Sequence, residues 1–172
     1  MFRLARPADL DQVAAIYDRI HTEEEAGRSS VGWIRDVYPT RQTAQDSLQA
    51  GDLFVAEEAG QVVAAAKINQ EQVPVYAQAA WTLAVPPEQV MVLHTLVVDP
   101  LVKGTGIGTR FVAFYEDYAR AHGCRALRMD TNERNTAARA LYRKLGYGEV
   151  SILPCEFNGI PGVNLVCLEK VL

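Results

Sequence analysis

Behind an apolar, strand-like stretch ending at Val98, the chain reads Lys103-Gly104-Thr105-Gly106-Ile107-Gly108, and a helix-like segment follows. A strand that turns through glycines into a helix presents backbone N–H groups at the helix N-terminus. Those donors and the helix dipole suit an anionic phosphate. Glycine also allows positive φ and a close approach of ligand to backbone. Two nucleotide readings are weakened by the spacing. The P-loop pattern needs four residues before its Gly-Lys-Ser/Thr, and they are not there. The dinucleotide fingerprint needs G-x-G-x-x-G after the first strand, whereas these glycines fall late, at 104, 106 and 108. A turn without a ligand is the plain alternative.

Other chemistry-bearing residues are more scattered. Trp33, Tyr38 and Trp81 lie in irregular segments, not on periodic faces. Their π-faces suit a cationic amine, and aromatic core beneath long loops is the competing reading. Glu23, Glu24 and Glu25 form an acidic run of the kind that is usually a solvated face. Cys124, Cys155 and Cys167 are odd in number and show no CxxC spacing. Neither a disulfide framework nor a metal site is expected, and Cys155 and Cys167 read as small core residues.

The elements that must position these residues follow from periodicity. Residues 2–6 read as a short strand. Asp9 is expected to cap a first helix, with Gln12 closing the capping box and Leu10, Val13, Ala14, Ile16 and Tyr17 as its apolar stripe. Thr40 caps a second helix over 41–50, which Gly51 ends. Residues 53–57 and 62–69 form a hairpin. Residues 70–88 read as a long loop holding Tyr76 and Trp81, a length often tied to function. Residues 90–98 are the strongest strand, apolar enough to be covered on both faces. A helix over 109–122, a strand over 126–131, a helix over 136–145 capped by Asn135, and two strands around 149–157 and 163–170 complete the chain. The order β α α β β β α β α β β predicts an α/β fold with a mixed sheet. The unit from 90 to 131 is expected to be one right-handed parallel crossover.

The chain has 172 residues, Lys+Arg 17, Asp+Glu 21 and net charge −4. That length predicts one domain over residues 1–172. A mildly acidic chain has no basic excess for a phosphate backbone, so nucleic acid is a poor partner. No apolar run approaches the roughly 18–20 residues needed to span a bilayer, and the N-terminus lacks a signal-peptide core. A reduced, cytoplasmic protein with no membrane partner is expected.

The glycine loop, preceded by Leu96-Val97-Val98-Asp99-Pro100, resembles the acyl-CoA loop of the GNAT N-acetyltransferase superfamily. That pattern opens with Arg or Gln, and here Lys103 stands instead. The cation stays but the forked guanidinium is lost. A second motif agrees: the run from Asn132 through Asn135, Leu141 and Tyr142 to Gly146-Tyr147 is similar to the family's "N…A…LY…GF" helix, with Tyr147 in place of Phe. The resemblance covers residues 52–150 well and the N-terminal helices loosely. It implies a mixed, mostly antiparallel sheet flanked by helices, with a splayed central strand, acetyl-CoA as cosubstrate, and acetyl transfer to a primary amine of a small molecule, peptide N-terminus or lysine. A domain that binds acyl-CoA without turnover is the alternative.

By resemblance, the backbone of Lys103, Gly104, Thr105, Gly106, Ile107, Gly108 and Thr109 would hold the diphosphate. Leu96, Val97 and Val98 would pair with the pantetheine arm, and a backbone N–H near Val98 would polarise the thioester carbonyl. Asn135 matches a cofactor contact as well as a cap. Tyr142 sits where the family places its general acid. Val92, His94, Leu96 and Val98 are expected on one strand face by period two, which makes His94 the proton relay, with Asp130 as rival. Trp33, Tyr38 and Trp81 are the acceptor-pocket candidates. A homodimer through the C-terminal hairpin is a further expectation.

Overall fold

The computed structural model describes residues Met1 to Leu172. One seven-stranded sheet runs in the order β1-β2-β3-β4-β5-β7-β6. Its strands are β1 (Phe2–Leu4), β2 (Leu53–Glu58), β3 (Gln61–Asn69), β4 (Val90–Val98), β5 (Ala126–Asn132), β6 (Gly148–Phe157) and β7 (Ile160–Val171). The helices are α1 (Leu10–Glu25), α2 (Arg41–Gln49), α3 (Ile107–Ala121) and α4 (Thr136–Lys144). Among neighbouring strands only β4 and β5 are parallel, and the crossover helix α3 joins them. All other neighbours are antiparallel. This is the α/β fold with a mixed, mostly antiparallel sheet expected above.

Helices cover both faces. Val13 and Ile16 of α1 and Ala44 of α2 pack with Val55, Ala65 and Val97 on one face. Phe111 and Tyr115 of α3 and Tyr142 of α4 pack with Met91, Leu93 and Leu127 on the other. A third cluster joins Val92, Ala126, Leu165 and Cys167 to Tyr76 of the 70–88 segment. That segment is ordered by two 3-10 turns, Pro74–Gln78 and Pro87–Gln89, and by the buried Arg128–Glu169 pair. Arg128 donates to Leu83 O at 3.0 Å, and Glu169 Oε1 accepts the Thr82 amide at 2.8 Å. No helix is long and apolar enough to cross a membrane.

Several local expectations need correction. Asp9 makes no side-chain cap. Its carboxylate takes Arg3 Nη1 at 2.6 Å and the Arg6 amide at 2.7 Å, a charge-assisted pairing that outcompetes a cap. Gln12 instead accepts from the Val62 amide at 2.9 Å. The final turn is the two residues Asn158 and Gly159, both at positive φ (+51° and +77°), so β7 already starts at Ile160. Thr40 caps α2 through the Thr43 amide, as expected. Cys155 and Cys167 are free thiols whose cross-strand neighbours are Val163 and Ser151, not each other.

Candidate active site

The centre of the sheet is irregular at one place. Ala65 faces Val97 while Lys67 faces His94, so three steps of β4 match two of β3. The extra residue makes a β-bulge, with Thr95 at φ +52°. A bulge flips the side-chain alternation beyond it. Met91 and Leu93 before it, and Leu96 and Val98 after it, therefore share the α3/α4 face, while Val92 belongs to the opposite cluster. The expectation that Val92, His94, Leu96 and Val98 share one face is wrong for this reason: His94 stands across the sheet from Leu96 and Val98.

The same stretch opens the sheet. β5 follows β4 only as far as the Leu93–Met129 pair, and beyond it the strands part. The Asp99 amide donates to Val63 O at 2.8 Å, so by ladder alternation the Val98 amide points to the other edge, where β5 has diverged. A cavity of about 960 Å³ fills the gap.

One arm of this cavity runs along the α3/α4 side and is lined by Leu96, Val98, Lys103, Asn135, Ala138 and Tyr142. Asp99, just before the glycine loop, accepts the Leu101 amide at 3.0 Å and is clamped by Arg19 Nε and Nη2 at 2.9 and 2.6 Å. Gly104 and Gly106 sit at φ +86° and +79°, which explains why glycine stands there. The amides of Gly104, Gly106, Ile107, Gly108 and Thr109 donate to no acceptor in the chain, the anion-binding arrangement of a helix start. Thr105 turns its hydroxyl back onto Val102 O at 2.8 Å. Lys103 is exposed at the mouth. Asn135 caps α4 through the Ala138 amide at 3.2 Å. Tyr142 is only 7% exposed, burial raises its pKa, and its hydroxyl has no protein partner. The arm is elongated, with free backbone amides at one end and the Tyr142 hydroxyl at the other.

The other arm lies on the far side of the gap, lined by Trp33, Tyr38, Val73, His94, Asp130 and Phe157, among others. Trp33 and Tyr38 meet edge to face at 5.9 Å, and the Tyr38 hydroxyl bonds Thr95 Oγ1 at the bulge. Trp81 does not line the cavity. Its ring covers the Arg128 guanidinium at 4.3 Å and its Nε1 donates to Tyr76 O at 2.8 Å, so it shields the buried ion pair instead. The acidic run is engaged locally: Glu23 pairs with Arg28 and Glu25 with Arg35, while Glu24 accepts the Val31 and Gly32 amides.

Two of the titratable groups lining this arm are shifted in opposite senses, His94 and Asp130. His94 Nε2 lies 3.0 Å from Asn69 Oδ1, and Asn69 Nδ2 donates to Asp52 at 2.8 Å. With Nδ2 turned to a carboxylate, Asn69 offers the imidazole only an acceptor, so Nε2 carries the proton and Nδ1 is the free acceptor. Burial, and then the charge of Lys67, lower the His94 pKa to about 4. Asp130 accepts the Tyr76 hydroxyl at 2.6 Å. Burial raises its pKa to about 6 against that hydrogen bond. Thr95, Asn69 and Tyr76 were not singled out as site residues from sequence. A β-branched residue in an apolar strand reads only as more strand, and the partners of His94 and Asp130 lie 25 and 54 residues away.

The family model for the acetyltransferase (GNAT) family matches residues 13–147. The N-acetyltransferase YhfO of Bacillus subtilis is 34% identical over 62 residues, which are 36% of this chain and 42% of that one. The chain thus matches less than half the length of its curated relatives. A GNAT-family acetyltransferase structure from Streptococcus agalactiae superposes with TM-score 0.83 at 22% identity, over 100% of this chain and 95% of that one. An acetyltransferase of Salmonella typhimurium solved with acetyl-CoA superposes with TM-score 0.72 at 18% identity, over 100% and 93%.

Proposed function

Because the chain belongs to the GNAT acetyltransferase family, we propose that it is an acetyl-CoA-dependent N-acetyltransferase acting on a primary amine, its residues 1–172 forming one catalytic domain. One observation carries this reading: the gap beside bulged β4 joins a row of unpartnered loop amides to a buried tyrosine hydroxyl and to a second arm holding titratable groups. Bound acetyl-CoA supplies an acetyl thioester. The amides of Gly104 to Thr109 hold its diphosphate, Lys103 adds a point charge, and the edge of Leu96, Val97 and Val98 pairs with its amide-bearing arm. The Val98 amide donates to the carbonyl oxygen as charge develops there. Asn135 would hold the start of α4 against the cofactor, and Tyr142 would protonate the sulfur as the C–S bond breaks and the new C–N bond forms, its phenolate regaining a proton from the nitrogen as that becomes an amide.

The amine must first lose a proton. The two candidates differ in basicity. With His94 near 4 and Asp130 near 6, the carboxylate holds a proton about a hundredfold more tightly. We therefore assign proton acceptance to Asp130, from which solvent in the cavity takes the proton, and leave the neutral His94 as a polar group on the wall of the arm. Trp33 and Tyr38 wall the acceptor. The same reading places the protein in the cytoplasm, in keeping with its three free thiols. A second copy would pair at β6, the outer edge of the sheet, where Ile152 is exposed.

The test is thiol release from acetyl-CoA across a panel of amines. Turnover is expected, with kcat/KM rising as pH passes about 6, and Asp130→Asn should lower it by roughly 10²-fold or more. His94→Gln should cost less. Acetyl-CoA binding with no thiol release for any amine would instead mark a non-catalytic acyl-CoA-binding module. No binding at all would end both readings.

A further inference from the structure

The acceptor arm differs from its surroundings in two ways. Its walls are apolar: Trp33, Tyr38, Val73, Phe157, Ile160 and Val163 line it and belong to one packed cluster. Its charges are unevenly matched. Lys67 is neutralised by Glu71 at 3.0 Å and Arg28 by Glu23 at 2.7 Å. Asp46 lines the cavity only from an exposed position, and Lys103 likewise. Asp130 is the one carboxylate in the interior of the arm, and its hydrogen-bond partner is a neutral phenol. A Cβ on Gly159, at the tip of the β6–β7 turn, would stand 3.4 Å from Val37 Cγ1, so the hairpin tip approaches the 31–38 loop.

We propose that this arm takes a small primary amine borne on an apolar or aromatic chain, with no carboxylate beside the nitrogen, and that Asp130 receives it as the ammonium ion. The inference rests on the acetyl-transfer reading and narrows its acceptor. An ammonium group supplies the positive partner that Asp130 lacks. A free amino acid would bring a second carboxylate next to Asp130, where no unpaired cation offsets it. A hydroxylated or polycationic amine would lose part of its hydration against the apolar wall of Trp33, Val73, Phe157, Ile160 and Val163.

Three amines separate the contributions: phenethylamine, phenylalanine (the same arm with a carboxylate added) and ethanolamine (the amine without the arm). Titration calorimetry in the absence of cofactor, and kcat/KM with acetyl-CoA, should both favour phenethylamine by about tenfold or more over either competitor. Phe157→Ser should shrink that preference, and an unaltered acetyl-CoA affinity in the variant shows that the fold is intact. Phenylalanine or ethanolamine binding and turning over as well as phenethylamine, or no heat with phenethylamine, overturns the inference. Vigorous acetylation of amino acids or polar amines would defeat it while leaving the acetyltransferase reading standing. Heat with phenethylamine but no thiol release from any amine would support the arm and defeat the transfer reaction.

Discussion

Asp130 and His94 share one cavity and are shifted in opposite senses, with consequences for stability as well as catalysis. Asp130 is raised from 3.8 to about 6, so its protonated form is favoured in the fold. That contribution is fully present below about pH 4, is lost as pH rises through 6, and leaves the ionised group costing roughly 3 kcal/mol at neutrality. His94 is lowered from 6.5 to about 4. The fold keeps its full stability above pH 6.5 and loses a similar amount as pH falls toward 4. Between about pH 4 and 6 the two slopes oppose each other. Asp130→Asn should therefore raise the melting temperature at pH 7 by several degrees while depressing turnover, and should expose a steeper acid loss due to His94. Thermal melts from pH 4 to 8 check this, and a lower Tm for the variant at pH 7 would contradict a buried, ionised Asp130. His94 and Asp130 were visible in the sequence as candidates. Their relative basicity was not, because it depends on burial and on Lys67, Asn69 and Tyr76.

At the scale of elements, the glycine loop and the bulge make a contrast. The loop was legible because its chemistry is local: αL glycines, a cap and a helix start lie within a few residues. Gly106 is at φ +79° with open space where a Cβ would stand, so Gly106→Ala carries a conformational cost alone, about 1 kcal/mol. Acetyl-CoA should bind severalfold more weakly to this variant, read by calorimetry, with kcat at saturation little changed. An unaltered affinity would show that the loop's left-handed turn does not shape the diphosphate site. The bulge was not legible. Its apolar, β-branched run continues straight through Thr95, and only the register with β3 reveals the inserted residue. That single residue decides which side of the sheet His94 occupies.

Across the whole molecule, a buried ion pair stabilises the 70–88 segment, which carries Tyr76 and Val73 to the cavity. The side chains of Arg128 and Glu169 are 6% and 1% exposed, and Trp81 covers the guanidinium. Arg128→Met leaves Glu169 buried without its cation and should cost about 3–5 kcal/mol. The expected readout is a clear drop in Tm, with faster hydrogen exchange over residues 72–83. An unchanged Tm would mean that the pair is solvated in solution. The fate of Trp81 shows why aromatic candidates could not be sorted beforehand. Trp33 and Trp81 both sit in irregular segments, yet one lines the cavity and the other seals an ion pair formed by residues 41 positions apart.

The amino-acid sequence alone determined the element order, the glycine turn into α3, the caps at Thr40 and Asn135, and the mixed α/β class. Steric preference, capping and hydrophobic period act within a few residues and need no knowledge of distant contacts. Tertiary structure decided the bulge at Thr95, the parting of β4 from β5, which aromatics line the cavity, and the opposite pKa shifts of His94 and Asp130. Each of these is set by strand register or by burial, and both exist only once residues far apart in the chain have been brought together.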